Sequence, residues 1–129
     1  MGEHGVITAR GTTLLVDDEE DILPEYQELL ELEGFAALVS SDPEEAFALV
    51  CRRSDIKLVI TDLRMARLDG AALIRKLQQA LPERDLRFII ITGDATSPHD
   101  PAELGGEILF KPVVGEQLVA AVAAALERG

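Results

Sequence analysis

The sequence contains one cysteine, no tryptophan and few aromatic residues, which make up 4% of its 129 residues. A single cysteine excludes an internal disulfide and a metal site built from cysteines. Cys51 follows the apolar residues 48–50, so we interpret it as a small buried hydrophobic residue. No apolar stretch approaches the length that spans a membrane, and the N-terminus has no signal-peptide core. We therefore expect a cytoplasmic protein without membrane insertion.

Positive charge is also scarce. Twelve Lys and Arg residues stand against 24 Asp and Glu residues, which gives a formal net charge of −12. Such a field repels nucleic acid and anionic membranes, so direct nucleic-acid binding is not expected. Aliphatic residues are abundant, since the hydrophobic fraction is 47% and aromatic residues make up only 4% of the chain. This composition and length predict one globular domain over residues 12–129, after a flexible leader at residues 1–11.

Short aliphatic runs alternate with helical patterns along the chain. Strands are predicted at residues 13–16, 35–39, 58–61, 87–91 and 108–110. Helices are predicted at about residues 22–33, 43–53, 69–81, 100–104 and 116–127. Strands that are continuous aliphatic runs are typical of a parallel sheet covered by helices on both faces.

Two helix starts carry recognisable capping residues. Asp21 is predicted as the N-cap of the first helix, with Pro24 in its first turn, where a missing N–H costs little. Asp42 is predicted to cap the second helix, with Pro43 at the first helical position. Glu45 lies three residues beyond Asp42, which is the spacing of a capping box.

Polar residues follow four of the predicted strands. Asp17 and Asp18 follow the first strand, Asp62 the third, Thr92 the fourth and Lys111 the fifth. Each alone could simply end a strand or cap a helix. Because the carboxyl ends of parallel strands meet at one edge of a sheet, however, the set as a whole indicates a site.

The residue types at this edge suit phosphoryl transfer. Three carboxylates repel one another, which raises pKa values or recruits a cation, and oxygen ligands favour Mg²⁺. A metal ion beside a carboxylate neutralises charge on a transferring phosphoryl group. Asp62 is then a candidate nucleophile that forms an acyl phosphate, while Thr92 and Lys111 could each contact a phosphoryl oxygen.

Five sequence motifs resemble the receiver domain of two-component response regulators, and they cover nearly all of residues 12–129. They are LLVDDE at 14–19, VITDLRM at 59–65, DG at 69–70, ITG at 91–93 and FKP at 110–112. The resemblance implies a flavodoxin-like α/β/α sandwich with five parallel strands in the order 2-1-3-4-5. It also implies a domain that accepts a phosphoryl group.

The resemblance assigns a role to each residue of the predicted edge. It implies that Asp62 is the phospho-acceptor and that Asp17, Asp18 and Asp62 hold Mg²⁺, with the backbone carbonyl of Arg64 as a further ligand. It implies that Thr92 is the switch hydroxyl. It also makes Lys111 the phosphoryl-contacting lysine, before a cis peptide bond to Pro112.

Two features depart from the family pattern. Ile108 occupies the position, three residues before the lysine, where the family usually has a mobile Tyr or Phe. The segment between Thr92 and Lys111 is also short, and it contains Pro98, Pro101 and a glycine pair, so its helix is expected to be reduced to about one turn. These features resemble receivers attached to hybrid kinases more than those of transcription factors.

The expected partners are a histidine kinase or a histidine phosphotransfer protein, which donates the phosphoryl group from phosphohistidine, and an unknown downstream protein. The expected output is a changed binding surface, with no enzymatic activity beyond self-phosphorylation and slow autodephosphorylation. Two alternatives remain open at this point. One is a degenerate receiver that acts as an interaction scaffold. The other is a Mg²⁺-dependent phosphatase, although Arg64 occupies the position where such enzymes usually carry an acid/base carboxylate.

Overall fold

The computed structural model describes residues 11–63, 65, 69–93 and 106–127. The strands are β1 (Thr12–Val16), β2 (Ala36–Ser40), β3 (Ile56–Asp62), β4 (Arg87–Thr92) and β5 (Gly106–Phe110). The helices are α1 (Leu23–Leu32), α2 (Pro43–Arg52), α3 (Gly70–Ala80) and α4 (Gly115–Glu127). The predicted leader, apart from Gly11, and the short helix expected near residues 100–104 lie outside the described residues. Within these ranges, no helix is long and apolar enough to cross a membrane.

The five strands form one parallel sheet in the order β2-β1-β3-β4-β5. This order and the α/β/α layering confirm the predicted fold. Helices α1 and α4 cover one face of the sheet, and α2 and α3 cover the other. A separate hydrophobic cluster lies between each pair of helices and the sheet. The α1–α4 cluster contains Leu15, Ile60, Leu109, Leu118 and Val122, and the α2–α3 cluster contains Leu14, Val59, Ile74, Leu77 and Ile90.

The start of α1 differs from the prediction. Ile22, and not Asp21, occupies the N-cap position, and no side chain caps this helix end. The backbone N–H of Ile22 donates to the carbonyl of Glu19 at 3.2 Å, so a tight turn leads the chain into the helix one residue later. Pro24 lies in the first turn, as expected, and Gly34 ends the helix region with a φ of 91°, which favours glycine.

The start of α2 confirms part of its prediction. Asp42 accepts a hydrogen bond from the backbone N–H of Glu44 at 2.9 Å, and Pro43 is the first helical residue. The predicted capping box is wrong. Glu45 accepts from the Ser40 hydroxyl at 2.8 Å, and the backbone N–H of Asp42 donates to that same hydroxyl at 3.3 Å. Ser40 is therefore the group that links Asp42 and Glu45.

The interpretation of Cys51 as a buried residue is also wrong, because its side chain is exposed. Val50, one position earlier, is fully buried in the α2–α3 cluster. The side chains of Val50 and Cys51 point in directions about 100° apart around the helix axis, and here Val50 faces the sheet while Cys51 faces solvent. The apolar run before Cys51 identified the helix but not the buried side of its last turn.

One arginine holds the end of α2 against the start of β3. The guanidinium of Arg84 donates to the backbone carbonyls of Val50 at 2.8 Å, Arg53 at 3.1 Å and Ile56 at 3.0 Å. Carbonyls at a helix C-terminus lack partners within the helix, so this fork satisfies groups that would otherwise need water. It thereby fixes where β3 begins, and β3 is the strand that ends at Asp62.

Candidate functional site

Two neighbouring strands bring the predicted carboxylates together. Asp62 is the last residue of β3, and Asp17 directly follows β1, which pairs with β3 in parallel. Oxygen atoms of Asp17, Asp18 and Asp62 lie within 4.8 Å of one another. Asp17 and Asp62 are 4% and 8% exposed, whereas Asp18 is exposed. The cluster is thus buried on the sheet side and open on the Asp18 side.

Lys111 supplies a positive charge to this cluster. Its Nζ lies 2.9 Å from Asp62 Oδ2 and 3.8 Å from Asp17 Oδ2. The backbone N–H of Lys111 donates to the carbonyl of Thr92 at 2.8 Å, which continues the pairing of β4 and β5 beyond the strand ends. The peptide bond between Lys111 and Pro112 is cis, as expected from the resemblance.

Burial and the close approach of these charges together shift two pKa values. Burial is the main reason why the pKa of Asp17 rises from 3.8 to about 6, and the negative charge of Asp62 adds to it. A hydrogen bond from the Glu19 backbone N–H and the charge of Lys111 oppose the rise. Burial lowers the pKa of Lys111, but its hydrogen bond to Asp62 and the surrounding carboxylates outweigh that effect and raise it. Lys111 is therefore firmly protonated, whereas burial and the charge of Asp62 disfavour the ionised form of Asp17.

Thr92 ends β4 beside the acidic cluster. It is 1% exposed, and the preceding residue, Ile91, pairs with Asp62 across the β3–β4 ladder. Ile108 pairs with Ile90 on the neighbouring strand and packs, half-buried, against the α2–α3 cluster. The structure therefore brings Asp17, Asp18, Asp62, Thr92 and Lys111 to one edge of the sheet, while Arg64 lies outside the described residues.

Two residues near the cluster had no predicted role. Glu19 Oε1 lies 3.5 Å from Lys111 Nζ, and the Glu19 backbone N–H donates to Asp17 Oδ1 at 2.9 Å. Tyr26 on α1 lines a small hollow with Asp17 and Asp62. Burial raises the pKa of Tyr26, and the surrounding charges modify it further. Glu19 directly follows the acidic pair in the sequence, which was a usable signal, whereas Tyr26 reads only as a helix-face residue.

The comparison with known proteins agrees with this geometry. The family model of the response regulator receiver domain matches residues 13–123. The chain is similar to the C4-dicarboxylate transport transcriptional regulatory protein DctD of Rhizobium meliloti (strain 1021), with 32% identity over 95% of this chain and 26% of that protein. It is also similar to the sensor kinase CckA of Brucella abortus (strain 2308), with 28% identity over 95% of this chain and 13% of that protein.

A solved structure shows the same architecture. The receiver domain of a response regulator from Clostridium thermocellum superposes with a TM-score of 0.83, at 30% identity, over 92% of this chain and 95% of that one. The chain belongs to the response regulator receiver domain family. It is thus a receiver domain of two-component systems, a class of generally non-enzymatic phospho-acceptors. The phosphatase and scaffold alternatives are not favoured, and the chain spans only about a quarter or less of these two curated relatives.

Proposed function

We propose that Asp62 is the residue that accepts the phosphoryl group. The observation that carries the proposal is the contact of 2.9 Å between Lys111 Nζ and Asp62 Oδ2, with Asp17 and Asp18 gathered around the same carboxylate. Asp62 lies at the edge where each of the other groups could contact a phosphoryl oxygen, whereas Asp17 is tied by the Glu19 backbone N–H. This geometry supports the choice of Asp62 among the three carboxylates.

The proposed reaction is a single displacement at phosphorus. A carboxylate oxygen of Asp62 attacks the phosphorus of a phosphohistidine, the P–N bond breaks, and its electron pair leaves with the imidazole. Lys111 releases Asp62 and donates to an oxygen of the transferred group, and the Thr92 hydroxyl donates to another. Slow hydrolysis of the resulting acyl phosphate would return the domain to its starting state.

Asp17, Asp18 and Asp62, with the Arg64 carbonyl, are the proposed ligands of Mg²⁺. The donor set fits this ion: three carboxylates lie within 4.8 Å, and the Lys111 ammonium is the cation that contacts them among the described residues. Burial and repulsion also raise the pKa of Asp17, so a cation would relieve an unfavourable charge. When bound, Mg²⁺ would neutralise charge on the transferring phosphoryl oxygens.

The proposed donor is a histidine kinase or a histidine phosphotransfer protein, and the output is an altered surface for a downstream protein. We further propose that the domain extends over residues 12–129 and acts in the cytoplasm. The similarity to a sensor kinase supports a receiver that belongs to a hybrid kinase, whereas the similarity to DctD supports one that belongs to a transcriptional regulator. Phosphotransfer profiling against the purified histidine kinases of the source organism would identify the donor, and failure with every kinase would contradict this assignment.

Acetyl phosphate and intact-mass measurement test the acceptor directly. We expect one phosphoryl adduct on the wild type with Mg²⁺, and none on Asp62→Asn or in excess chelator. Asp69→Asn is the matched control, because Asp69 is an exposed carboxylate outside the cluster that caps α3, and asparagine caps helices equally well. An adduct of equal yield on Asp62→Asn would refute the proposal.

A further inference from the structure

The last two residues of β5 point to opposite faces of the sheet. Leu109 is 3% exposed in the α1–α4 cluster, so Phe110, the next residue along the strand, faces the α2–α3 side. Ile108, two positions before Phe110, packs against the α2–α3 cluster, as this alternation requires. Phe110 is 48% exposed. A large apolar side chain therefore lies at the edge of the sheet that carries the site.

Phe110 lies beside Thr92 in the sheet. The two residues are register partners in the parallel β4–β5 ladder, and both continue the α2–α3 face. Register partners on neighbouring strands point the same way, and their Cβ atoms are about 5 Å apart, close to the spacing between strands. An aromatic ring reaches across that distance. Phe110 is thus the neighbour of Thr92 on the β5 side.

Contacts at both ends of the β4–β5 ladder fix this pairing. At the start of β5, Gly106 approaches Phe88 so closely that a Cβ atom at this position would overlap the Phe88 backbone. At the end of β5, the backbone N–H of Lys111 donates to the carbonyl of Thr92 at 2.8 Å. A slip of one residue would break both contacts and turn Phe110 to the other face. The place of the ring beside Thr92 is therefore set by the strand pairing.

A threonine side chain carries a hydroxyl and a methyl group on one carbon, and its χ1 rotamer decides which way each of them points. A phenyl ring offers no strong hydrogen-bond acceptor, so the side of Thr92 next to the ring suits the methyl group better than the hydroxyl. The opposite side of Thr92 faces β3, because β4 lies between β3 and β5. Strand β3 ends at Asp62. A ring on the β5 side therefore favours the rotamer that directs the hydroxyl toward Asp62.

We propose that Phe110 is a positioning residue, whose ring packs against the Thr92 methyl group and directs the Thr92 hydroxyl toward a phosphoryl group on Asp62. This inference rests on the proposed function, in which that hydroxyl donates to a phosphoryl oxygen. Phe110 acts through Thr92 alone. Because the ring restricts the rotamer before the phosphoryl group arrives, the hydroxyl needs little reorganisation during the transfer.

The rate of adduct formation with acetyl phosphate and Mg²⁺ tests this role. Thr92→Val removes the hydroxyl and should slow the reaction by about tenfold or more, because a hydrogen bond to a charged group typically contributes at least that factor. Phe110→Ala should slow it severalfold, but less than Thr92→Val does. Phe110→Leu keeps a bulky apolar side chain and should retain most of the rate. A wild-type rate in Phe110→Ala, beside a slow Thr92→Val, would refute the proposal.

Leu32→Ala is the matched control for these rates. Leu32 is also a large apolar side chain at the surface, 77% exposed. It is the last residue of α1, where the chain turns toward the start of β2 and away from the site. We expect the wild-type rate in this variant. A loss equal to that of Phe110→Ala would mean that any exposed apolar side chain has the same effect, which contradicts a specific role for Phe110.

A double-mutant cycle separates positioning of the hydroxyl from a general structural role. If Phe110 acts through the Thr92 hydroxyl, Phe110→Ala should cause no further loss in the Thr92→Val protein, which has no hydroxyl to direct. A ring that only supports the strand would slow both backgrounds equally, and such additive losses would overturn the proposal. An adduct of equal yield on Asp62→Asn would instead refute the proposed acceptor, so the two failures are distinguishable.

Nuclear magnetic resonance tests the Thr92 rotamer without any phosphoryl group. Three-bond couplings to the Thr92 methyl carbon report χ1 directly. They should indicate one rotamer in the wild type and in Phe110→Leu, and an average over rotamers in Phe110→Ala. The ring current of Phe110 should also shift the Thr92 methyl resonance, and this shift should disappear in Phe110→Leu. Unchanged couplings in Phe110→Ala would refute the proposal, whatever the outcome at Asp62.

Discussion

Two adjacent threonines on β1 differ in whether their hydroxyl has a partner. Thr13 is fully buried, and its Oγ1 makes no hydrogen bond to any residue that the structure describes. It precedes Leu15 by two positions, so it points into the α1–α4 side of the core. Thr12, 6% exposed, donates through its Oγ1 to Asp55 Oδ2 at 2.7 Å. Substituting valine at each position changes a hydroxyl to a methyl group of nearly the same shape in these two contrasting environments.

The two substitutions should change stability in opposite directions. At Thr13, valine removes an unsatisfied buried hydroxyl, whose desolvation costs about 1–3 kcal/mol, and adds buried apolar surface. We therefore expect Thr13→Val to raise the free energy of unfolding by about 1–2 kcal/mol, and Tm by roughly 3–10 °C for a domain of this size. At Thr12, valine loses a hydrogen bond to a carboxylate, so Thr12→Val should lower the free energy of unfolding by about 1 kcal/mol.

Urea unfolding followed by circular dichroism measures both effects. The m-values should match the wild type, because neither change alters the surface exposed on unfolding, and only the midpoints should move. The reasoning is refuted if Thr13→Val lowers the midpoint at an unchanged m-value. That result would mean that the Thr13 hydroxyl has a stabilising partner, such as a bound water.

Three further predictions concern the acidic cluster and the end of α2. Mg²⁺ should raise Tm of the wild type by binding the native state and should hardly affect Asp18→Ala; equal shifts would place the ion elsewhere. The raised pKa of Asp17 means that its contribution to the stability of the metal-free protein is present below about pH 4 and is lost as pH rises through about 6. Tm without metal should therefore fall over that range in the wild type more than in Asp17→Asn, and parallel profiles would contradict this. Arg84→Lys should lower the free energy of unfolding by about 1–3 kcal/mol, because lysine cannot reach three carbonyls in one plane, whereas the exposed Arg75→Lys on α3 should change it little.

The parallel pairing of the strands could be predicted because the predicted strands are aliphatic runs, whereas their order was implied only by the resemblance to the receiver family. Buried strands between helical patterns indicate a parallel, doubly covered sheet without any knowledge of contacts. The helix starts were harder, because capping is decided by single hydrogen bonds. The Ser40 hydroxyl accepts from the backbone N–H of Asp42 and donates to Glu45, and no spacing rule foresees that a residue of the preceding strand will take the place that the Glu45 side chain has in a capping box.

The acidic cluster could also be predicted, because parallel strands deliver their C-terminal residues to one edge. Alternation of side chains along the strands explains which of these residues touch. Three residues of the α1–α4 cluster, Leu15, Ile60 and Leu109, lie two positions before Asp17, Asp62 and Lys111, respectively. Asp17, Asp62 and Lys111 therefore continue the same face of the sheet. The contacts of Glu19 and Tyr26 depend instead on the path of the turn and helix after β1, which alternation does not describe.

Thr92 reaches the same edge from the other face of the sheet. It follows Ile90 by two positions, and Ile90 belongs to the α2–α3 cluster, together with its partner Ile108. Lys111 and Thr92 therefore approach Asp62 from opposite sides of the sheet, although their backbones are hydrogen-bonded to each other. Under the proposed chemistry, a phosphoryl group on Asp62 would extend beyond the carboxylate and lie between these two donors. The phosphoryl group would then contact side chains from both faces of the sheet. On the α2–α3 face that contact would be made by Thr92. The neighbouring strand carries Ile108 on this face, a branched aliphatic residue with few rotamers.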